Sequence, residues 1–91
     1  MLMLDISIDR EFKLAYVKTG AGTFGRTIMV NDEINVDLDV NEEIIGVEFL
    51  SFETLSQGAE FMNSKAFQLS PGIVAAIAVA QEEVKARLSG I

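Results

Sequence analysis

Ile34-Asn35-Val36-Asp37-Leu38-Asp39-Val40-Asn41 decides the fold, because apolar and polar residues alternate along it without a break. A period of two puts Ile34, Val36, Leu38 and Val40 on one side of an extended strand and Asn35, Asp37, Asp39 and Asn41 on the other. One buried face and one wet face are what an antiparallel sheet asks of its strands. The polar turn Asn41-Glu42-Glu43 leads into a second run, Ile44 to Leu50, with Ile45, Val47 and Phe49 expected inward, so the two runs form a hairpin.

The same period recurs upstream. Leu2, Leu4, Ile6 and Ile8 alternate with Met3, Asp5, Ser7 and Asp9 in a first strand, and Phe12, Leu14 and Tyr16 alternate with Lys13, Ala15 and Lys18 in a second that ends near Val17. A third strand is expected from Arg26 to Val30, closed by Asn31-Asp32, two residues that tolerate left-handed turn conformations.

Past Phe52 the period changes. Glu53 to Met62 is expected to form a short helix interrupted by Gly58, with Phe61, Met62 and Phe67 packing into the core. Ser70 is a good N-cap, Pro71 suits the first helical position and Gly90 sits where a helix stops, which predicts a helix from about Pro71 to Leu88. Ile73, Ile77, Ala80, Val84 and Leu88 share the face that would cover the sheet. Ala75, Val79 and Ala86 lie nearly opposite and are the candidate residues for contact with another subunit. The expected architecture is α+β in a single domain. An antiparallel β-meander of four or five strands (1–52) and a connecting segment (53–69) precede a C-terminal α-helix (70–89) packed on the sheet.

Composition narrows the functions. The 91 residues carry 14 acidic and 7 basic side chains, a formal charge of −7, and the basic residues are scattered. Clustered Lys and Arg supply most non-specific affinity for nucleic acid, so direct nucleic-acid binding is not expected and a basic protein partner is. The chain contains no Cys, which removes disulfides and thiolate chemistry, and no His, which removes the usual zinc ligand and the commonest general base. The longest apolar stretch, Ile73 to Ala80, is far below the roughly 20 residues that span a bilayer, and the amino terminus lacks the basic start of a signal peptide. A cytoplasmic, membrane-free location is the expectation. Hydrophobic residues make up 49% of a chain too short to bury most of its surface, so apolar area is left for a partner, and a homodimer is the simplest one.

Two motifs imitate known sites. Gly20-Ala21-Gly22-Thr23-Phe24-Gly25 matches the dinucleotide pattern G-x-G-x-x-G, but such a loop must open into a helix, and Arg26 to Val30 has the character of a strand. A flexible hairpin loop is expected there. Asp37, Asp39, Asn41, Glu43 and Glu48 stand at positions 1, 3, 5, 7 and 12 of a calcium-loop template. Position 6 is Glu42 where that template demands Gly, and the apolar residues keep the strand period. The segment is therefore expected to be a solvated hairpin, with cation or small-ligand binding by Asp37 to Glu48 as the alternative. Without a Cys or His to activate its serines, the chain is expected to be no enzyme and to use no cofactor.

Ile8-Asp9-Arg10-Glu11-Phe12-Lys13-Leu14-Ala15-Tyr16-Val17, followed by Ile34-Asn35-Val36-Asp37-Leu38-Asp39 and Ile45-Gly46-Val47-Glu48-Phe49-Leu50, resembles the small prokaryotic proteins grouped as domain of unknown function 2283. The resemblance spans roughly Met3 to Phe52. Arg10 departs from the family's frequent Pro after the Asp, and Glu33 departs from a common turn Gly. The resemblance implies a compact antiparallel sheet and brings no catalytic residues. It also implies an antitoxin-like role, because such proteins look like companions of small toxin-like proteins. These expectations make the chain a non-enzymatic interaction module that binds a basic protein through Asp37, Asp39 and Glu48.

Overall fold

A computed structural model describes residues 5–30, 32–56 and 71–89. Its five strands are β1 (Asp5–Asp9), β2 (Leu14–Lys18), β3 (Phe24–Met29), β4 (Ile34–Asp39) and β5 (Ile44–Phe49). A single 3₁₀ turn, Glu53–Ser56, and one helix, α1 (Pro71–Leu88), complete the described chain. Leu2, Leu4, Asn31, Gly58, Phe61, Met62, Phe67, Ser70 and Gly90, all named above, lie outside the described residues.

All strand pairs are antiparallel, in the order β1-β2-β5-β4-β3. The class is the expected α+β, and the order adds what alternation alone does not specify. β3, β4 and β5 form a meander, and β5 returns to lie between β4 and β2, which is a Greek-key arrangement. The 19–23 connection is thus a crossover between strands that do not pair, not a hairpin loop. It is fastened at both ends. Thr19 N–H donates to Ile45 O at 3.0 Å, and Val40 N–H donates to Thr23 O at 3.0 Å. Between them the backbone passes so close to the β4–β5 turn that a Cβ at Gly22 would overlap the Asp39 carboxylate. The glycine motif serves this close passage.

The core lies between one sheet face and α1. Ile34, Val36, Val47, Phe49, Val17 and Ile77 are fully buried, each burial worth about 1.5–3 kcal/mol in apolar transfer. Ile77, Ala80 and Val84 of the expected helix face are buried, with Ile73 and Leu88 packed at its margin. Gln81 is buried on the same helix, which the wheel did not anticipate. Helix α1 lies chiefly over β5, β2 and β1. No described helix is long and apolar enough to cross a membrane.

Three inward assignments change. On β2 the smaller Ala15 and Val17 are buried, while Leu14 and Tyr16 face the other side and Phe12 is exposed in the preceding turn. The register explains this, since Ala15 stands opposite Phe49 and Val17 opposite Val47 on the helix-covered face. On β4 the alternation fails at its last step. There Asp39 is buried under the close passage of Gly22 and Val40 is 65% exposed, the reverse of the expected faces. On β5 the register shift between Asp37 and Leu38 makes Ile45 the extra residue, so Ile44, opposite Leu38, packs against the core in place of Ile45.

Candidate functional site: the open sheet face

Among the described residues, the sheet is covered on one face only, by α1, and side chains opposite each other across the ladder share a face. Ser7 stands opposite Tyr16, Tyr16 opposite Glu48, Glu48 opposite Asn35, and Asp37 opposite both Gly46 and Thr27. These residues form a polar row across all five strands on the face away from the helix. Asp5 and Lys18 extend it at one side.

Asp37 is the centre of the row. Tyr16 Oη donates to its Oδ2 at 2.9 Å and Thr27 Oγ1 donates to its Oδ1 at 2.7 Å, so both carboxylate oxygens are held. Tyr16 belongs to β2, and β5 separates it from β4, so its ring must pass over the intervening strand. Gly46 is the residue it passes over, and a Cβ there would overlap Tyr16 Oη. Here a strand glycine marks a crossing side chain. Beside this group, Asn35 Nδ2 donates to Glu48 Oε1 at 3.1 Å.

Tyr16 responds to this environment. Burial, the hydrogen bond to Asp37 and the charges of Asp37 and Glu48 push its phenol up to about 12. A phenol held there stays protonated near neutral pH and serves as a fixed donor, not as a base or nucleophile. Asp37 and Glu48 are diagonal neighbours on adjacent strands, with Cβ atoms about 7 Å apart. Their directions are set by the Tyr16, Thr27 and Asn35 donors.

Asp39 is separate from this group. Its Oδ1 accepts from Asn41 N–H at 2.8 Å and Glu43 N–H at 2.9 Å, which closes the β4–β5 turn from within. Asp9 does the same for the β1–β2 turn, accepting from the N–H groups of Glu11 and Phe12 at 3.0 Å each. Each turn contains a non-glycine residue with positive φ, Lys13 at 58° and Glu42 at 65°.

Glu42 and Arg26 form an exposed two-pronged pair that lowers the carboxyl's pKa and raises that of the guanidinium, the hydrogen bonds being the main cause. The residues with calcium-loop spacing therefore do not converge. Among the described residues, no cluster of three or more acidic groups could hold a metal ion.

Sequence reasoning thus placed Asp37 and Glu48 together correctly on one wet face. It placed Asp39 there as well, and the structure moves Asp39 into its own turn. It missed Tyr16, Thr27 and Asn35, whose part depends on strand order and register. Ala75, Val79 and Ala86 are exposed on the outer side of α1, opposite the core. The fold and this face define a small α+β protein with one polar sheet surface that no described element covers. Comparison with protein-family models, curated proteins and solved structures finds no match.

Proposed function

We propose that the chain is a non-enzymatic, cytoplasmic interaction module that presents Asp37 and Glu48, on its open sheet face, to a basic protein. One observation carries the reading: both carboxylates are oriented by neighbouring donors on a rigid sheet. Arg and Lys are the partners such fixed acceptors select, because charge-assisted hydrogen bonds to carboxylates are directional and about twice as strong as neutral ones. The net charge of −7 would speed the approach of a cationic surface. In its specific form the basic partner is a toxin-like protein, as the family resemblance implies. Self-association belongs to the same reading, given 49% hydrophobic residues in so short a chain.

The test is binding of a labelled arginine-rich peptide, followed by fluorescence anisotropy at low and raised salt. Wild type should bind with strong salt dependence, and Glu48→Lys should weaken binding by roughly tenfold or more. Glu82→Lys, on α1, should leave it within about twofold. Equal binding by all three proteins would refute the site.

A further inference from the structure

β3 is an edge strand whose inner side is used by β4. Val30 N–H donates to Ile34 O at 2.9 Å, and Ile28 pairs with Val36 in the same register. Alternation along an antiparallel ladder then turns the N–H and C=O of Ile28 and Val30 toward β4, and those of Thr27 and Met29 outward. Among the described residues no strand takes up the outward groups.

Such an edge is a template for another strand unless it is blunted, and the two edges of this sheet differ. β1 begins and ends with exposed Asp5 and Asp9. β3 has no carboxylate, no lysine and no proline, and its one charge, Arg26, is held by Glu42. The register shift between Phe24 and Arg26 disturbs one end only. Large apolar side chains are exposed at both ends of the strand: Phe24 is 57% and Met29 76% exposed, and the exposed Val40 is tied to Thr23 next to Phe24.

We propose that β3 pairs antiparallel with β3 of a second copy of this chain, through Thr27 and Met29, so that a two-fold dimer shares one continuous sheet. The proposal rests on the self-association put forward above and gives it a place. Antiparallel pairing about a two-fold axis is self-complementary, so each outward N–H meets an outward C=O of the other copy. Charge favours this site over others. Two chains of −7 repel, but no carboxylate of β3 faces its counterpart. The Asp37 side chains of the two copies stay three strand spacings apart, roughly 14 Å. That exceeds the physiological Debye length of about 8 Å. The outer face of α1 is a weaker candidate, because Val79 is its one large exposed apolar side chain and Glu82 and Glu83 are exposed near it. A contact this short lies at the low end of stable interfaces, so association depends on concentration.

Light scattering after size exclusion, over a concentration series reaching about 1 mM, reads the association directly. The mass of the wild type should rise from that of one 9.9 kDa chain toward twice that value. Over the same series the Thr27 and Met29 amides should gain protection from hydrogen exchange. Met29→Pro removes one outward donor and spares the bonds of Ile28 and Val30 to β4. Met29→Lys keeps the donor and charges the edge. Both should stay monomeric, while Val79→Glu dimerises like wild type. If circular dichroism shows Met29→Pro unfolded, Met29→Lys decides alone. A wild type that is monomeric throughout overturns self-association and its placement together. A dimer that survives Met29→Lys overturns the β3 placement only, and its loss in Val79→Glu would assign the interface to α1.

Discussion

Tyr16 is the only tyrosine and the chain has no tryptophan, so the ultraviolet absorbance of tyrosinate reports one residue. Its pKa is raised from 10.0 to about 12, by burial first and then by Asp37 and Glu48. At 1.36 kcal/mol per unit the ceiling is about 2.7 kcal/mol, and partial solvent access reduces it to about 1–2 kcal/mol. The folded pKa lies above the unfolded one. The stabilisation is therefore complete below pH 10 and is lost as pH rises through 12. In wild type, tyrosinate should appear late in an alkaline titration, and the melting temperature should fall over the same window. Asp37→Asn removes the charge and weakens the hydrogen bond but leaves the burial, so its midpoint should drop part of the way toward 10.0. A wild-type midpoint near 10.0 with the circular dichroism of the sheet intact would refute the Tyr16–Asp37 contact. So would an unchanged midpoint in Asp37→Asn.

Gly46→Ala should displace Tyr16 from Asp37, lowering both the melting temperature and the tyrosinate midpoint, whereas a substitution that merely stiffens β5 would leave the midpoint in place. Asp39→Ala should cost about 1–3 kcal/mol in denaturant unfolding, because the Asn41 and Glu43 N–H groups lose their acceptor; Asp39→Asn, which keeps a carbonyl oxygen, should cost less. Calcium at millimolar concentration should leave the melting temperature unchanged, since the acidic residues of the β4–β5 hairpin point to separate places; an upward shift would restore the cation-binding reading.

Much of this fold is legible in the sequence for a simple reason. Alternation in β4 and β5 and the Pro71 start of α1 are local signals, and the structure places these elements within a residue or two of the expected bounds. Strand order is a different kind of information. Nothing local to β5 says that Val47 will lie between Val36 and Val17, because that choice depends on how the hairpins stack under the helix. The assignment of β2 failed for the same reason. Leu14 and Tyr16 look like the buried pair by size, yet α1 and the register with Phe49 select Ala15 and Val17.

The site shows the same division. Asp37 and Glu48 were found because each sits at a polar position of an alternating strand. Asp39 was misplaced because, at the last residue of β4, the close passage of Gly22 covers its carboxylate and the turn N–H groups take it up, neither of which a period of two reveals. Tyr16 carries a faint signal in retrospect: a lone tyrosine in one strand and a glycine inside another can mark a ring crossing the second strand. Only the register brings that tyrosine and that glycine together.

The measurement that bears most directly on the central claim is an amide NMR titration of the folded protein with an unlabelled arginine-rich peptide. If the open face is the binding surface, the largest shifts fall on Thr27, Asn35, Asp37, Gly46 and Glu48, and they fade as salt is raised. Shifts centred on Glu82 and Glu83 of α1, or spread evenly over every acidic residue, would contradict that account.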